Sequence, residues 1–216
     1  VVRTIEIESD LLAANDDVAA ENARALAGSS VFAINLMGSP GAGKTTLLEA
    51  TAGRLGSSVR WAVIEGDIRG SLDAERLERL GVPVIQVNTG GACHLDAGMI
   101  REALRHLDLD SLDLLFVENV GNLVCPAEFR IGENRKVMLL ATTEGEDKPA
   151  KYPLMFRESD LMLLSKADLL PHLDLDLDGL MGSVRAVNPE LPVIRISARS
   201  GEGTDRWIRW IEECLG

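Results

Sequence analysis

Eight residues early in the chain, Gly38-Ser39-Pro40-Gly41-Ala42-Gly43-Lys44-Thr45, match every fixed position of the phosphate-binding spacing G-x-x-x-x-G-K-[ST]. Glycines at those places let backbone N–H groups turn inward around phosphate oxygens. The ammonium of Lys44 would reach the β- and γ-phosphates, the Thr45 hydroxyl would hold Mg²⁺, and Thr46 continues the cradle. This chemistry needs a strand before the loop and a helix behind it. The apolar run 31–37 and the stretch opening with Leu47-Leu48 supply both.

The base is addressed by a second pattern. Ser165-Lys166-Ala167-Asp168 stands where guanine-reading proteins carry N/T-K-x-D. The Asp168 carboxylate can accept from both N1–H and the exocyclic amine of guanine, a pair that adenine does not offer. The Lys166 stem would lie over the ring. Asn is usual in the first place, so Ser165 loses a side-chain amide and is expected to weaken base affinity. Ser197-Ala198-Arg199 follows the last apolar run and matches an S-A-[KR] loop whose backbone contacts guanine. Together the two loops favour GTP over ATP.

Two apolar runs end in acid. Glu118 closes the run 112–118 and Gly121 follows three residues later, the placing of a Mg²⁺-linked carboxylate and a glycine sensitive to the γ-phosphate. Glu65-Gly66-Asp67 is the second such end, with Asp67 facing Mg²⁺ directly or through water. Either acid could instead cap a helix. Lys44, Thr45, Asp67 and Glu118 are therefore the residues expected to carry hydrolysis. No arginine finger or water-positioning glutamine is evident, so slow intrinsic turnover is expected.

A different chemistry is offered by Cys93, His94 and Cys125. Gly90-Gly91 precedes the first two, and Val124-Cys125-Pro126 lies beyond the Glu118 run. Two thiolates and an imidazole suit Zn²⁺ or Ni²⁺. On a strand adjacent side chains diverge, so Cys93 and His94 converge only if the double glycine makes an irregular loop. Ordinary buried cysteines remain the alternative. Cys214 reads as a packing or surface residue, and His106 and His172 as solvent-facing. Asp174-Leu175-Asp176-Leu177-Asp178 reads as a solvated lead into a helix, and 144–148 as an exposed loop.

The elements that must position these groups alternate along the chain. Strand-like runs rich in Val, Ile and Leu occupy 31–37, 59–64, 82–87, 112–118, 136–142, 160–164 and 192–196. Helical patterns lie between them at 45–54, 73–80, 97–106, 151–157, 177–188 and 204–215. The alternation predicts one α/β domain, a mostly parallel sheet with helices on both faces and its functional groups at one strand-end edge. Strand order stays open. A further helix is expected at about 9–27, capped by Ser9 or Asp10, turning Leu11, Val18, Ala25 and Leu26 onto a sheet edge.

The formal charge of −12 argues against sequence-independent binding to nucleic acid or an anionic membrane. No run of 18 apolar residues occurs. Three scattered cysteines point to a reducing cytoplasm rather than a disulfide framework. The chain opens at Val1 without a methionine, so further residues are expected upstream.

These segments together resemble the hydrogenase maturation GTPases of the HypB family, nickel-insertion factors of nickel–iron hydrogenases. The resemblance runs from about Glu6 to Trp210. It is carried by NLMGSPGAGKTTLLE, IEGD with DAERL, NTGGACHLDA, LLFVENVGNLVCPAE, TEGEDKPAKYPLMF, SKADLLP and SARSGEG. It implies a SIMIBI-class P-loop fold, GTP hydrolysis to GDP with Mg²⁺, and Ni²⁺ or Zn²⁺ at Cys93, His94 and Cys125. It also implies GTP-promoted homodimers, a nickel-chaperone partner and a hydrogenase large-subunit precursor as client. Two departures stand out. Ser165 replaces the family's usual Asn, and the Cys- or His-rich N-terminal metal segment of some members is not among these residues. A urease-type accessory GTPase would carry Cys-Pro-His, and cobalamin-mutase chaperones lack the Cys93-His94 pair. Septum-site ATPases place a lysine where Ser39-Pro40 stands. A non-catalytic metal carrier, ordered but not driven by nucleotide, is the reading from another class. In the family reading, exchange of GTP for GDP is expected to move Cys125 relative to Cys93 and His94.

Overall fold

Seven strands form one parallel sheet in the order β3-β2-β4-β1-β5-β6-β7. The computed structural model describes residues 7–56, 58–67 and 72–216, the stretch 7–10 by backbone alone. The strands are β1 (Phe32–Gly38), β2 (Trp61–Asp67), β3 (Val84–Asn88), β4 (Leu114–Glu118), β5 (Arg135–Ala141), β6 (Leu161–Ser165) and β7 (Val193–Arg195). All seven expected runs are strands. Four reach a residue or more further toward the functional edge than the apolar pattern suggested, taking in Gly38, Glu65 to Asp67, Asn88 and Ser165. Hydrophobicity stops before these polar ends, whereas the backbone ladder continues, as Glu65 paired with Glu118 and Asp67 paired with Asn88 show.

The helices are α1 (Ile7–Gly28), α2 (Lys44–Leu55), α3 (Leu72–Glu78), α4 (Ala97–Leu104), α5 (Cys125–Glu128), α6 (Lys148–Lys151), α7 (Pro153–Glu158), α8 (Leu177–Val187) and α9 (Thr204–Leu215). The expected helix 151–157 is broken at Tyr152, which precedes Pro153 and adopts φ −129° and ψ 53°. A residue before proline is pushed out of the helical region by the ring. The four-residue α5 has no periodicity to betray it and was not expected.

Strand side chains alternate between the two faces. Ile34, Leu36, Phe116, Val137, Leu139 and Leu163 pack with Leu47, Leu48 and Leu55 of α2 and with Trp207 and Ile211 of α9. The indole N–H of the fully buried Trp207 donates to Thr51 Oγ1 at 2.9 Å. Truncating such a side chain to alanine costs about 3–5 kcal/mol. On the opposite face Ala33, Ile64, Leu115 and Val117 meet α1 and α4, while Met138, Leu140 and Met162 meet α7 and α8. The chain end of every strand therefore opens on one edge, held rigidly by two apolar layers.

The N-terminal helix departs from expectation in three ways. It runs through Ser9 and Asp10, so neither caps it. It covers the middle of the sheet beside β1 and α4 rather than an edge. Its buried face is Ala19, Asn22 and Leu26, while Leu11 is 61% exposed and Ala25 is exposed too. The buried Asn22 amide donates to the carbonyls of Ala97 and Ile131, at 2.9 and 3.0 Å. A search for apolar spacing passes over an asparagine that packs through hydrogen bonds.

Candidate functional site

The loop between β1 and α2 curls over the centre of the sheet edge. Gly38, Gly41 and Gly43 have φ of 152°, 74° and 97°. A Cβ on Gly38 would lie 2.6 Å from the Leu139 carbonyl oxygen, so only glycine fits between the loop and β5. Lys44 and Thr45 are each 7% exposed. Burial pulls the Lys44 ammonium below its usual range, opposed chiefly by the charge of Glu118.

Facing Lys44 across the cavity are the paired ends of β2 and β4. Glu118 Oε1 accepts from the Thr45 hydroxyl at 2.8 Å, so Glu118 is no helix cap. The other oxygen of Glu118 is buried without a hydrogen-bond partner, and so is Oε2 of Glu65. Burial pushes both carboxyls up to about 7, and at Glu65 the charge of Glu118 adds to the rise. Asp67, half-buried, lines the same cavity. Buried carboxylate oxygens left over beside a threonine hydroxyl are costly unless a cation neutralises them. The donor set, all hard oxygen, fits Mg²⁺. Arg76 borders the cavity but is engaged by Glu49 and Asp73, at 2.9 Å from each through its Nε and Nη1.

Beside the phosphate cradle lies a mainly apolar cavity of about 240 Å³ that takes in Ala42, Thr46, Ser165, Lys166, Asp168, Ser197, Ala198 and Arg199. The two loops of the base pattern thus share one pocket. Asp168 is held by Ser197, whose hydroxyl donates to Oδ1 at 2.6 Å. The Ser165 hydroxyl donates to the Ala42 carbonyl at 2.6 Å. In this position serine ties the base loop to the phosphate loop. Lys166 takes a left-handed φ of 57°, fixed in part by Thr142, whose hydroxyl donates to its carbonyl at 2.9 Å.

The third group lies on the neighbouring strand ends. Gly90 and Gly91 have φ of 62° and 105°, which turns the loop after β3 so that Cys93 and His94 come to one side. One ligand atom each from Cys93, His94 and Cys125 lies within 4.8 Å of the others. The sulfurs of Cys93 and Cys125 are 3.1 Å apart, and His94 Nδ1 is 3.7 Å from the Cys93 sulfur. The His94 ring rests on Phe129, centroids 4.1 Å apart. Its partial burial lowers the imidazole pKa, which favours the neutral ring that metals bind. Burial and the adjoining Cys93 push the Cys125 thiol up to about 11, so a cation is needed to draw its proton off at neutral pH.

Residues 32–195 match the family described as CobW/HypB/UreG, nucleotide-binding domain. Hydrogenase maturation factor HypB of Azotobacter chroococcum is 54% identical over 214 residues, 99% of this chain and 70% of that protein. The crystal structure of the HypB protein from Archaeoglobus fulgidus superposes with a TM-score of 0.89 at 37% identity, covering 95% of this chain and 100% of that one. This chain belongs to the HypB family. A HypB structure from Helicobacter pylori, described as in complex with nickel, has the same TM-score at 36% identity and covers 93% of this chain and 94% of that one. The parallel sheet and P-loop are those of a SIMIBI-class protein.

Several residues of this HypB-family chain have more to do than their sequence suggested. Glu144 is not a free loop residue: one carboxylate oxygen accepts from the P-loop Ser39 hydroxyl at 2.5 Å and the other from the Ala141 N–H at 2.9 Å. Gly121 lies against Pro40, where an added Cβ would come within 2.8 Å, so it is a contact point with the phosphate loop. Asp176 caps α8 by accepting from Gly179 N–H at 2.9 Å. His106 and His172 are exposed and Cys214 is half-buried, all away from the three-residue cluster. Sequence reasoning gave no role to Glu65, Asn119 or Asn122. Their only signal was polarity within otherwise apolar or glycine-bearing strand ends.

Proposed function

We propose that this chain is a GTP-hydrolysing metallochaperone that binds nickel or zinc and helps to insert nickel into a metalloenzyme precursor, a nickel–iron hydrogenase in the first instance. The observation that carries the reading is the convergence of Cys93, His94 and Cys125 on the sheet edge that also bears the P-loop. The nickel named for the Helicobacter pylori relative supports that choice of cargo.

In this reading, backbone N–H groups of 38–45 and the Lys44 ammonium hold the β- and γ-phosphates. Mg²⁺ would sit against Thr45 and Glu118, with Asp67 and Glu65 facing it, and would neutralise charge on the phosphate oxygens. Lys44 stabilises charge building on the bridging oxygen as the γ-phosphate leaves. Asp168, aimed by Ser197, accepts from guanine, and Lys166 covers the ring. Gly121 reports the phosphate state through its contact with Pro40.

The thiolates of Cys93 and Cys125 and the His94 nitrogen take up the cargo ion. Three protein ligands leave a tetrahedral position open for water, a client or a second copy of the chain. A GTP-promoted homodimer would juxtapose two such sites, and hydrolysis would open it, giving delivery a direction. A reducing cytoplasm would keep both thiols available. Among the described residues, no helix is long and apolar enough to cross a membrane.

Nickel transfer to a hydrogenase large-subunit precursor, measured with GTP and with a non-hydrolysable analogue, tests this. Transfer should require hydrolysis. Equal transfer in both would leave a metal carrier in which nucleotide only orders the fold.

A further inference from the structure

The two loops that bear the cargo ligands are held together by asparagine side chains, and each holds a different ligand. Asn122 makes contacts of separate kinds, one of them a side-chain hydrogen bond to the Cys125 thiol. Its backbone N–H donates to the carbonyl of Gly38, the first residue of the P-loop, at 3.0 Å. Its side-chain amide donates to the Cys93 carbonyl at 3.3 Å. Its Oδ1 accepts from Val124 N–H at 2.9 Å, shaping the turn that opens the helix of Cys125. One residue thus touches the phosphate loop and both thiol-bearing segments.

His94 is moored elsewhere. The next residue, Leu95, is fully buried, and its N–H donates to Oδ1 of Asn119 at 2.9 Å. Asn119 is 1% exposed and bonds Asn35 in the central strand at 3.2 Å. Leu95 also fills the space over Gly66, where a Cβ would lie 2.6 Å from it. The backbone beside His94 is therefore fixed to the core, although its ring rests on Phe129 at the end of the Cys125 helix, while the thiols are fixed to a loop that leans on Pro40 of the phosphate cradle.

Building on the metallochaperone reading, we infer that Asn122 is the positioning residue that links nucleotide state to cargo binding. Through it Cys93 travels with Cys125, and a change at the P-loop displaces the thiol pair against a His94 whose backbone stays with the core. The simpler expectation, Cys125 moving relative to both other ligands, would have to break the bond between Asn122 and Cys93. Two thiolate ligands persist in both nucleotide states, and it is the imidazole whose ligation changes. Coupling between bound ligands of this kind is reciprocal and usually amounts to roughly 5–100-fold in affinity.

Asn122→Asp cuts the link, because its carboxylate still accepts from Val124 but no longer donates to the Cys93 carbonyl or to the Cys125 sulfur. Asn122→Ser does the same without added charge, since the hydroxyl is too short to reach the carbonyl. Ni²⁺ affinity is measured for the full chain with Mg·GDP and with a non-hydrolysable GTP analogue, alongside sulfur-to-nickel charge-transfer absorption and X-ray absorption counts of nitrogen ligands. In the wild type the affinity ratio between states should be roughly 5–100, with sulfur absorption constant and nitrogen count changing. In either variant the ratio should fall below about 2, with nickel and guanine nucleotide still bound. A wild-type ratio kept in both variants overturns the role of Asn122 and spares the metallochaperone reading. A ratio of one in the wild type overturns the link and the coupled reading alike.

Discussion

The phosphate cradle and the thiol cluster share one sheet edge but are built on opposite plans. The cradle is backbone: three left-handed glycines, Gly38 wedged against β5, with a lysine and two carboxylates sunk into the protein. The cluster is side chain: an exposed Cys93, with His94 and Cys125 half-buried on two loops. A buried, pre-shaped site suits a ligand that must be gripped through a chemical step, since preorganised charge costs nothing at the moment of reaction. A surface site with an open coordination position suits an ion that must leave. The lesson is that the two plans separate holding from handing over, and variants in one region should spare the binding function of the other.

The sharpest break of that contrast comes from Lys44→Ala. Removing the buried ammonium should lower GTP hydrolysis by about 10²–10³-fold, the scale for one preorganised transition-state donor. Nickel affinity measured without nucleotide should hardly change. Phosphate release at the wild-type rate would show that the cradle is misread.

The reverse experiment follows. A Cys93→Ala, Cys125→Ala double variant should lose nickel–sulfur charge-transfer absorption. Its affinity for nickel should drop by more than the ~10–100-fold typical of removing a supporting residue behind a ligand. GDP affinity should stay within about twofold, because no nucleotide contact is touched. In the wild type, lowering the pH should weaken nickel binding, since the ion must displace a proton from a Cys125 thiol whose pKa is pushed up to about 11. Charge-transfer absorption that survives in the double variant would put the metal elsewhere.

A finer distinction lies inside the nucleotide site. Asp168→Asn should cost about 2–3 kcal/mol of guanine affinity, the range for a hydrogen bond to a charged group. The phosphate cradle is left whole, so ADP binding should be unaffected. Competition titration against a fluorescent guanine nucleotide checks both statements. Displacement by ADP and GDP at equal concentrations in the wild type would sink the guanine assignment.

How much of this was readable from the residues alone depended on whether a feature was local. The P-loop, the base loops and all seven strands are short contiguous patterns, and they are where the spacing put them. The convergence of Cys93 and His94 was foreseeable only because two glycines stood before them. What stayed hidden rests on contacts between distant segments. Asn22, Asn119 and Asn122 look like loop or surface residues, yet each bonds a carbonyl or N–H far away in sequence. Glu65 looked like the end of a strand, and only its register against Glu118 brings it into the cavity. Strand order was likewise set by packing that no single segment records.

The mildest test uses stability, and it separates the two regions by pH. Burial raises the folded-state pKa of Glu65 and Glu118 from 4.5 to about 7. A carboxyl with a raised pKa binds its proton more tightly in the folded state. Stability of the nucleotide-free, Mg²⁺-free protein should therefore fall as pH rises from about 4.5 to about 7, and level off above that. Glu118→Gln removes one of the two ionising groups while keeping an oxygen for the Thr45 hydroxyl. It should flatten the pH profile and raise the apo melting temperature at pH 8 by a few degrees, at ~2–4 °C per kcal/mol for a chain of this size. The same variant should lose much of the stabilisation that Mg·GDP gives the wild type, because the cation then meets one carboxylate fewer. Replacing the two cysteines should leave the decline between pH 5 and 7 in place. A Glu118→Gln protein that melts lower than wild type by the same margin at pH 5 and at pH 8 would mean that the buried charge is not the source of the slope.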